Sequence, residues 1–337
     1  MLSRAFRLLL CLLSLAATAA PWRPVPNAVW HLQMSYLPST VEEMLTLAQG
    51  ADVIEVDAFD VKAEMVAGLK AAGRHVVCYI NVGAWENWRA DRNGFPAVVK
   101  GSAYAGWPGE NWLDIRRLDI LGPLMTARLT MARDKGCDGV DPDNINGYEN
   151  PTGFPLKYAD QLTYNRWLAQ TAHSLGLGIG QKNALYMVAD LVADYDWATI
   201  ESCYAGKWCG RFEPFVQNGK AVLQIEYDGH DYWLEEICPE ARTHGFSALF
   251  SNRELDGWKA PCNVPLAQLD KLLDLAQHTY PATFSRPRGP SASWMGYYFR
   301  CYDPDGVCLG AKGDGLFFYA PGSGVMEVGP VRQFLSP

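Results

Sequence analysis

The stretch GCDGVDPDNINGYEN, Gly136 to Asn150, decides the fold that we predict for this chain. It begins as a short apolar strand and ends in a cluster of acids and amides. Pro142 lacks a backbone N–H, so the strand is expected to end near it. Carboxylates at the end of a buried strand are typical of the active-site rim of an α/β protein. The alternative is an Asx-rich turn or a calcium loop. An EF-hand loop, however, needs a further acid and flanking helices, and neither is obvious here.

Outward from this strand, segments typical of strands alternate with segments typical of helices, and we count eight repeats. Glycine follows five of the predicted helices, at the position where a left-handed conformation favours it. These glycines are Gly73, Gly136, Gly176, Gly219 and Gly245. Eight βα units in about 250 residues predict an α/β fold, the (β/α)8 TIM barrel. A doubly wound sheet is the alternative, but no glycine-rich phosphate fingerprint follows the first strand.

The predicted strands and helices alternate regularly except after the third strand, where an irregular excursion is expected over Val82–Gly122. The predicted strands are Val29–Gln33, Asp52–Val56, His75–Asn81, Gly139–Asp143, Leu177–Lys182, Trp197–Ser202, Ala221–Tyr227 and Ser247–Phe250. The predicted helices are Val41–Ala48, Lys62–Ala72, Leu124–Lys135, Tyr158–Ser174, Leu185–Ala193, Phe212–Asn218, Leu234–His244 and Leu266–Gln277.

The two ends of the chain differ in character from the barrel. Residues 1–20 have the pattern of a secretory signal peptide, in which Arg4 and Arg7 precede an apolar run and a small-residue cleavage site. That run is too short to span a bilayer, and nothing later resembles a membrane span, so we expect a secreted protein, extracellular or periplasmic. Residues 21–277 are predicted to form the barrel. Residues 278–337 carry aromatic β runs and turn signals, which predict a small C-terminal β appendage.

Eight cysteines remain once Cys11 leaves with the signal peptide. In an oxidising compartment, the pairs that are close in sequence are expected to form disulfides. These pairs are Cys203 with Cys209, Cys238 with Cys262, and Cys301 with Cys308. Cys78 and Cys137 lie in apolar strand-like runs and are either buried thiols or a fourth bridge. The sequence has no CxxC motif and no histidine cluster, so we expect no metal and no other cofactor.

The acidic charge of the chain limits its partners. Loss of the two arginines with the signal peptide changes the formal net charge from −8 to −10. An acidic exported protein is a poor candidate for binding nucleic acid. It attracts cationic ligands, although the same charge could serve only to keep the protein in solution.

Barrel enzymes carry their chemistry at the C-terminal ends of the strands, and this sequence places polar residues at every predicted strand end. No nucleophile elbow and no histidine lies there, since His75 opens a strand and is expected at the opposite face, so a serine or cysteine triad is disfavoured. Two carboxylates across a cleft suit glycoside hydrolysis. One protonates the leaving oxygen, and the other attacks the anomeric carbon or activates water. Asp143 and Glu201, on the fourth and sixth strands, are expected to face each other across the mouth.

The chain resembles glycoside hydrolase family 114 over about Ala28 to Phe250. The motifs that carry this resemblance occur in order at successive strand ends: WHLQM, DVIEVDAFD, VVCYINVGAWENWR, WPGENWLDIR, GCDGVDPDNINGY, IGQKN, the Glu201-Ser-Cys-Tyr segment and VLQIEY. The resemblance implies a TIM-barrel endo-α-1,4-polygalactosaminidase that cuts α-1,4-linked galactosamine polymers. It also implies an essential Asp on the fourth strand and an essential Glu on the sixth, which we place at Asp143 and Glu201. Asp141, on the same strand face, competes for the first role.

Such a polymer is cationic where it is deacetylated, which agrees with a mouth rich in acids. The predicted substrate-binding residues are Asp57, Asp60, Trp85, Glu86, Trp112, Asp141, Asn144, Lys182, Tyr204 and Glu226. Glu110 and Asp114 either hold ammonium groups or lie on a solvated loop. Lys182 is expected to pair with Asp143 and keep it ionised.

These inferences predict a monomeric, endo-acting, retaining glycosidase. Asp143 is the expected nucleophile, and Glu201 is the expected general acid/base, with a raised pKa. Of the tryptophans in the excursion, including Trp88 and Trp107, one or two are expected to stack on sugars. Two alternatives stay open: a non-catalytic carbohydrate-binding barrel, and a glycosidase of another α-galactoside linkage.

Overall fold

A computed structural model describes residues 20–48, 50–227, 234–251, 253, 255 and 259–262, together with short strands between residues 293 and 330. Three predicted features lie outside the described residues: the signal peptide except its last residue, the helix near Leu266–Gln277, and Asn252 and Glu254, the polar residues expected at the end of the eighth strand.

Eight parallel strands form a nearly closed barrel with helices between them, which confirms the predicted (β/α)8 TIM barrel. Each strand pairs with the next one in the chain, in parallel register. The strands are β1 Trp30–Gln33, β2 Val53–Asp57, β3 His75–Asn81, β4 Gly139–Asp143, β5 Gly178–Lys182, β6 Trp197–Glu201, β7 Val222–Tyr227 and β8 Ser247–Ser251.

The helices alternate with these strands. They are α1 Val41–Ala48, α2 Ala63–Ala71, α3 Leu118–Lys135, α4 Tyr158–Ser174, α5 Val188–Leu191, α6 Cys203–Gly206, α7 Glu213–Gln217 and α8 Leu234–His244. Helix α3 begins six residues earlier than predicted. Pro123 lies inside α3.

Two tryptophans make contacts at the N-terminal end of the barrel. The indole N–H of Trp30 on β1 donates to the carbonyl of Ser247 on β8 at 2.8 Å, which links the first and eighth strands. At the N-terminal end of the barrel, Trp22 stacks on His75, with ring centroids 4.4 Å apart. His75 therefore lies at the end opposite the predicted mouth, as the sequence indicated.

The alternation of side chains along each strand decides which residues can reach the barrel interior. Ile54 and Cys78 face outward and belong to the core under the helices. Val53 and Val77 face inward and pack around Trp197. Glu55 shares the phase of Val53 on β2, so its side chain also faces inward.

Trp197 fills the barrel interior, and glycines on the two preceding strands make room for it. A Cβ added at Gly180 would lie 2.4 Å from the indole nitrogen, and one added at Gly139 would lie 2.7 Å from the ring. These glycines are therefore required by packing, because any side chain would overlap the indole.

The excursion, residues 82–122, is more ordered than predicted. Three short strands form an antiparallel sheet in which Glu110–Leu113 lies between Ala84–Glu86 and Lys100–Ala103. Strands of three or four residues are too short for their alternation to stand out in the sequence, which explains why we predicted irregular chain.

The described residues contain three disulfides: Cys78–Cys137, Cys203–Cys209 and Cys238–Cys262. The first resolves the choice that the sequence left open, and disulfides fit an oxidising compartment. No helix among the described residues is long and apolar enough to cross a membrane.

The C-terminal region contains a five-stranded antiparallel sheet, in which Cys301 and Cys308 are register partners. The side chains of this sheet lie outside the described residues, so the predicted Cys301–Cys308 bridge stays a prediction.

Candidate active site

Three strained turns surround the place where β4, β5 and β6 end. Asp143 is the last residue of β4, and Glu201 is the last residue of β6. Directly after β4, β5 and β6, Asn144, Asn183 and Ser202 adopt left-handed backbone conformations, with φ of 64°, 47° and 56°. Such conformations cost a non-glycine residue on the order of 1–3 kcal/mol and cluster at functional sites. The backbone thus marks the rim that holds the two predicted catalytic acids.

Three polar groups hold the carboxylate of Glu201. The Tyr227 hydroxyl donates to Oε1 at 2.5 Å, the Asn183 amide donates to Oε2 at 2.9 Å, and Lys182 Nζ lies 3.6 Å from Oε2. Burial raises the pKa of Glu201, but Lys182 and the hydrogen bonds from Tyr227 and Asn183 outweigh it, so the pKa is lowered. The raised pKa that we predicted for Glu201 is therefore wrong in the free protein, which holds this side chain as an anion.

Asp143 has the opposite shift. The Tyr79 hydroxyl donates to its Oδ2 at 2.9 Å. Burial raises the pKa of Asp143, Lys182 opposes the rise, and the negative charge of Glu201 adds to it. A pair of carboxyl groups whose pKa values are pushed apart is the arrangement that acid–base chemistry needs.

Lys182 pairs with Asp141 and not with Asp143. Its Nζ donates to Asp141 Oδ2 at 3.1 Å, and both side chains are buried. The predicted Lys182–Asp143 pair is therefore wrong, although the Lys182 charge still lowers the pKa of Asp143. Burial lowers the pKa of Lys182, but Asp141, Glu201 and Asp143 raise it well above its ordinary value. The ammonium group is thus a fixed positive charge between β4 and β6.

Glu55 completes this buried cluster, and the sequence analysis did not single it out. It is fully buried on β2, and its side chain contacts that of Asp141. The register through β3 places Glu55 beside Val77 and Asp141 beside Tyr79, so Glu55 lies one inward-facing layer below Asp141. In the segment VIEVD, alternate side chains point to the same face of the strand, so Glu55 lies on the face of Val53. This alternation was the signal that could have identified it.

Arg89 neutralises two of the acids that we predicted to bind substrate. It donates two hydrogen bonds to Asp57, at 2.9 and 2.5 Å, and one to Glu86 at 2.8 Å. All three side chains are buried. This network speaks against Asp57 and Glu86 as partners of substrate ammonium groups. Asp60 is 62% exposed and lies 3.8 Å from Arg89, so it stays accessible.

A second polar network connects the excursion to β4. The Asn81 amide donates to Glu110 Oε2 at 3.0 Å, and the Asn144 amide donates to Asn81 Oδ1 at 3.1 Å. Glu110 is buried, and burial raises its pKa to about 7. Asp114 is also buried and is held by two hydrogen bonds from Arg116 at 2.7 Å. Neither acid lies on a solvated loop.

The tryptophans of the excursion divide by exposure. Trp112 is only 2% exposed and contacts Tyr104, with ring centroids 4.4 Å apart. Trp85 is half-buried, with Lys100 Nζ 4.3 Å from its ring centroid. Trp88 and Trp107 are 50% and 59% exposed. Exposure favours these two for sugar stacking, whereas the position of Trp112 favours packing.

Tyr104 is an aromatic residue near the site that the sequence analysis missed. Burial, Asp143 and Glu110 raise the pKa of its hydroxyl to about 12. The ring is only partly buried, which leaves it available to a ligand in the mouth.

The structure does not bring Glu226 and Tyr204 to the mouth. Glu226 faces outward on β7 and accepts hydrogen bonds from the backbone N–H groups of Tyr204 and Ala205 at the start of α6. The inward-facing residue of this strand end is Tyr227, one position further along. Among the described residues, a candidate metal cluster joins Glu226 to Cys203 and Cys209, but the disulfide between the two sulfurs leaves only a carboxylate.

The fold and the paired acids define a class of protein. A TIM barrel with two carboxyl groups at the C-terminal ends of two of its strands suits a glycoside hydrolase. The chain belongs to glycoside hydrolase family 114, because the sequence model described as Glycoside-hydrolase family GH114 matches residues 13–266.

Solved structures agree with this assignment. Ega3 from Aspergillus fumigatus, in complex with galactosamine, is 35% identical, with a TM-score of 0.66 over 73% of this chain and 99% of Ega3. The glycoside hydrolase domain of PelA from Pseudomonas aeruginosa is 17% identical, with a TM-score of 0.53 over 68% of this chain and 97% of that domain. At this identity the PelA likeness supports the fold alone. No curated protein sequence matches the chain.

Proposed function

We propose that this protein is a secreted, monomeric hydrolase that cleaves α-1,4-linked galactosamine-containing polysaccharide within the chain and with retention of configuration. Membership of family 114 and the 35% identity to Ega3, whose crystal structure contains galactosamine, support the substrate class. The observation that carries the proposal is the pair of acids at the ends of β4 and β6, Asp143 and Glu201, whose pKa values are shifted in opposite directions.

In a retaining reaction, one carboxyl group protonates the glycosidic oxygen while the other attacks the anomeric carbon and forms a glycosyl ester. Water then attacks the anomeric carbon and the bond from that carbon to the carboxylate oxygen breaks, while the deprotonated first group takes the water proton. The two inversions at the anomeric carbon leave the sugar with its original configuration. The chemistry needs one protonated and one ionised group at the start. The raised pKa of Asp143 and the lowered pKa of Glu201 favour Asp143 as the general acid and Glu201 as the nucleophile, the reverse of the roles expected from the sequence.

The acids that are not paired with arginine are the candidates for binding the ammonium groups of a deacetylated polymer. Asp57, Glu86 and Asp114 are each held by an arginine. Asp60 and Glu110 are not, apart from the 3.8 Å approach of Arg89 to Asp60. Cleavage of deacetylated polymer should therefore exceed cleavage of acetylated polymer, and the difference should shrink as salt rises.

The test compares Asp143→Asn and Glu201→Gln with Glu64→Gln, a matched control on the exposed face of α2. Each catalytic substitution is expected to lower release of galactosamine oligomers by at least about 100-fold, in line with the 10²–10⁴-fold range of acid–base catalysis, while thermal unfolding stays unchanged. The control should match the unmodified protein. Unchanged cleavage in Asp143→Asn would move the role to Asp141. Binding of oligomers without any product, even in the unmodified protein, would support the non-catalytic alternative.

Azide rescue assigns the two roles. Azide replaces a missing nucleophile and gives a glycosyl azide of inverted configuration, whereas replacement of the missing acid/base gives an azide of retained configuration. NMR of the first product from the unmodified protein tests retention directly, and an inverted product would overturn that part of the proposal.

A further inference from the structure

The buried contact between Glu55 and Asp141 is not used by the reaction described above. Neither oxygen of Glu55 has a hydrogen-bond donor, and Asp141 Oδ1 also lacks one. Both residues are fully buried, and their side chains are in contact. Buried acceptors without donors are rare and costly, so three of them on adjacent carboxyl groups require an explanation.

A proton between the two groups supplies that explanation. A protonated carboxyl group is a donor, so one proton on Glu55 satisfies one oxygen of each residue. Two ionised carboxylates in contact at this depth of burial would repel each other strongly. Lys182 does not remove the problem, because its ammonium contacts Asp141 Oδ2 at 3.1 Å and Glu201 at 3.6 Å, with no such contact to Glu55.

We propose that Glu55 is a neutral carboxylic acid that donates a hydrogen bond to Asp141 and thereby holds the Asp141–Lys182 ion pair beside Glu201. Glu55 is then a positioning residue, and its effect on hydrolysis rests on the proposed function. Lys182, kept in place by Asp141, presents its positive charge to Glu201 and keeps that carboxylate ionised.

The electrostatic surroundings of Glu55 agree with this assignment. Burial first, and then the charge of Asp141, raise the pKa of Glu55 well above its ordinary value. Burial also raises the pKa of Asp141, although Lys182 and the hydrogen bond from Glu55 oppose the rise. The contact of the Lys182 ammonium with Asp141 Oδ2 at 3.1 Å assigns the negative charge of the two carboxyl groups to Asp141. The charged groups that act on Glu55 are Asp141 on β4, Lys182 on β5 and Glu201 on β6. The other titratable residues on the inward phase of the surrounding strands are Asp57 on β2, Tyr79 on β3, Asp143 on β4 and Tyr227 on β7.

The first experiment detects the proton without substrate. At neutral pH, the infrared spectrum of the full-length protein should contain the carbonyl band of a protonated carboxylic acid, and Glu55→Gln should lose part of it. The comparison is repeated in an Asp143→Asn background, because burial also raises the pKa of Asp143 and its carboxyl group could contribute to the same band. An unchanged band in Glu55→Gln overturns the proposal. This readout does not depend on hydrolysis, so it stays valid if the proposed function fails.

The second experiment measures hydrolysis of galactosamine polymer by Glu55→Gln and Glu55→Leu. The amide of glutamine still donates to Asp141, so kcat should stay within about threefold of the unmodified value. Leucine removes the donor, so kcat should fall by about tenfold to a hundredfold, the range for loss of a hydrogen bond to a charged group. KM should change little. The limb of the pH profile that reports Glu201 should shift to higher pH in Glu55→Leu alone.

The amide variant separates positioning from catalysis. If Glu55→Gln loses as much activity as Glu55→Leu, an ionised Glu55 is required and the proposal is wrong. Thermal unfolding of both variants checks the fold. Should Glu55→Leu fail to fold, the infrared band and the Glu55→Gln kinetics still decide the question.

Discussion

Replacing Arg89 with methionine should destabilise the barrel far more than replacing an exposed arginine. The Arg89, Asp57 and Glu86 side chains are 7%, 5% and 2% exposed. Removing one partner of a buried ion pair costs about 3–5 kcal/mol, because the remaining charge has no counterion and no water. Methionine fills a similar volume, so the loss is electrostatic rather than a cavity.

The structure places the expected cost near the lower end of that range. Burial raises the pKa of Glu86 to about 7 even with Arg89 present, so without the arginine this carboxyl group takes up a proton and loses its charge. Asp57 keeps backbone N–H donors from Phe59 and Asp60, at 2.8 and 3.3 Å. We therefore expect a loss of about 3 kcal/mol. That loss corresponds to a fall in Tm of about 6 °C for a domain of this size.

Denaturant unfolding and calorimetry of Arg89→Met measure this loss, with Arg133→Met as the matched control. Arg133 pairs with Asp134 at 2.7 Å, but both side chains are exposed, so the control should cost less than about 1 kcal/mol. The penalty in Arg89→Met should shrink at acidic pH, where the stranded carboxylates are protonated. Equal stability of the two variants at neutral pH would refute the assignment of a buried, structural ion network.

Three further predictions concern stability. Burial raises the pKa of Glu86 from 4.5 to about 7, so the folded state retains a proton that the unfolded state has lost, and stability falls as pH rises through that window. Glu86→Gln should therefore gain up to about 3 kcal/mol relative to the unmodified protein between those pH values, measured by unfolding at each pH. Replacing Cys78 and Cys137 together by alanine should cost about 4 kcal/mol, about 2 kcal/mol more than removing the bridge that spans six residues, because the closed loop is longer. Gly180→Ala should lower stability by about 1–3 kcal/mol through overlap with the indole that fills the barrel, and an unchanged Tm would contradict that packing.

The barrel could be predicted because its strands and helices have regular hydrophobic patterns. The predicted bounds of His75–Asn81, Gly139–Asp143 and Tyr158–Ser174 match the structure at both ends. Glycine at helix exits and acids at strand ends are local signals, and a single sequence contains them. The sheet in the excursion was missed, because its pairing joins short segments that are far apart in the chain.

The side-chain partners could not be predicted, because they depend on which face of a strand is turned inward and on atomic distances. On β7 we selected Glu226 as a site residue, but the inward side chain is Tyr227. Lys182 was assigned to the wrong aspartate, because Asp141 and Asp143 lie on the same face of β4. They differ only in their distance from the end of the strand. The partner of an acid decides its role, and the arginine beside Asp57 lies 32 residues away in sequence.

The disulfide between Cys78 and Cys137 joins β3, which precedes the excursion, to the chain just before β4, which follows it. A protease that nicks this long insertion would therefore leave both fragments in one covalent molecule, which only a reducing agent can separate. Because the bridge lies outside the excursion, a change in the length of that insertion would leave β3 covalently joined to the chain that enters β4.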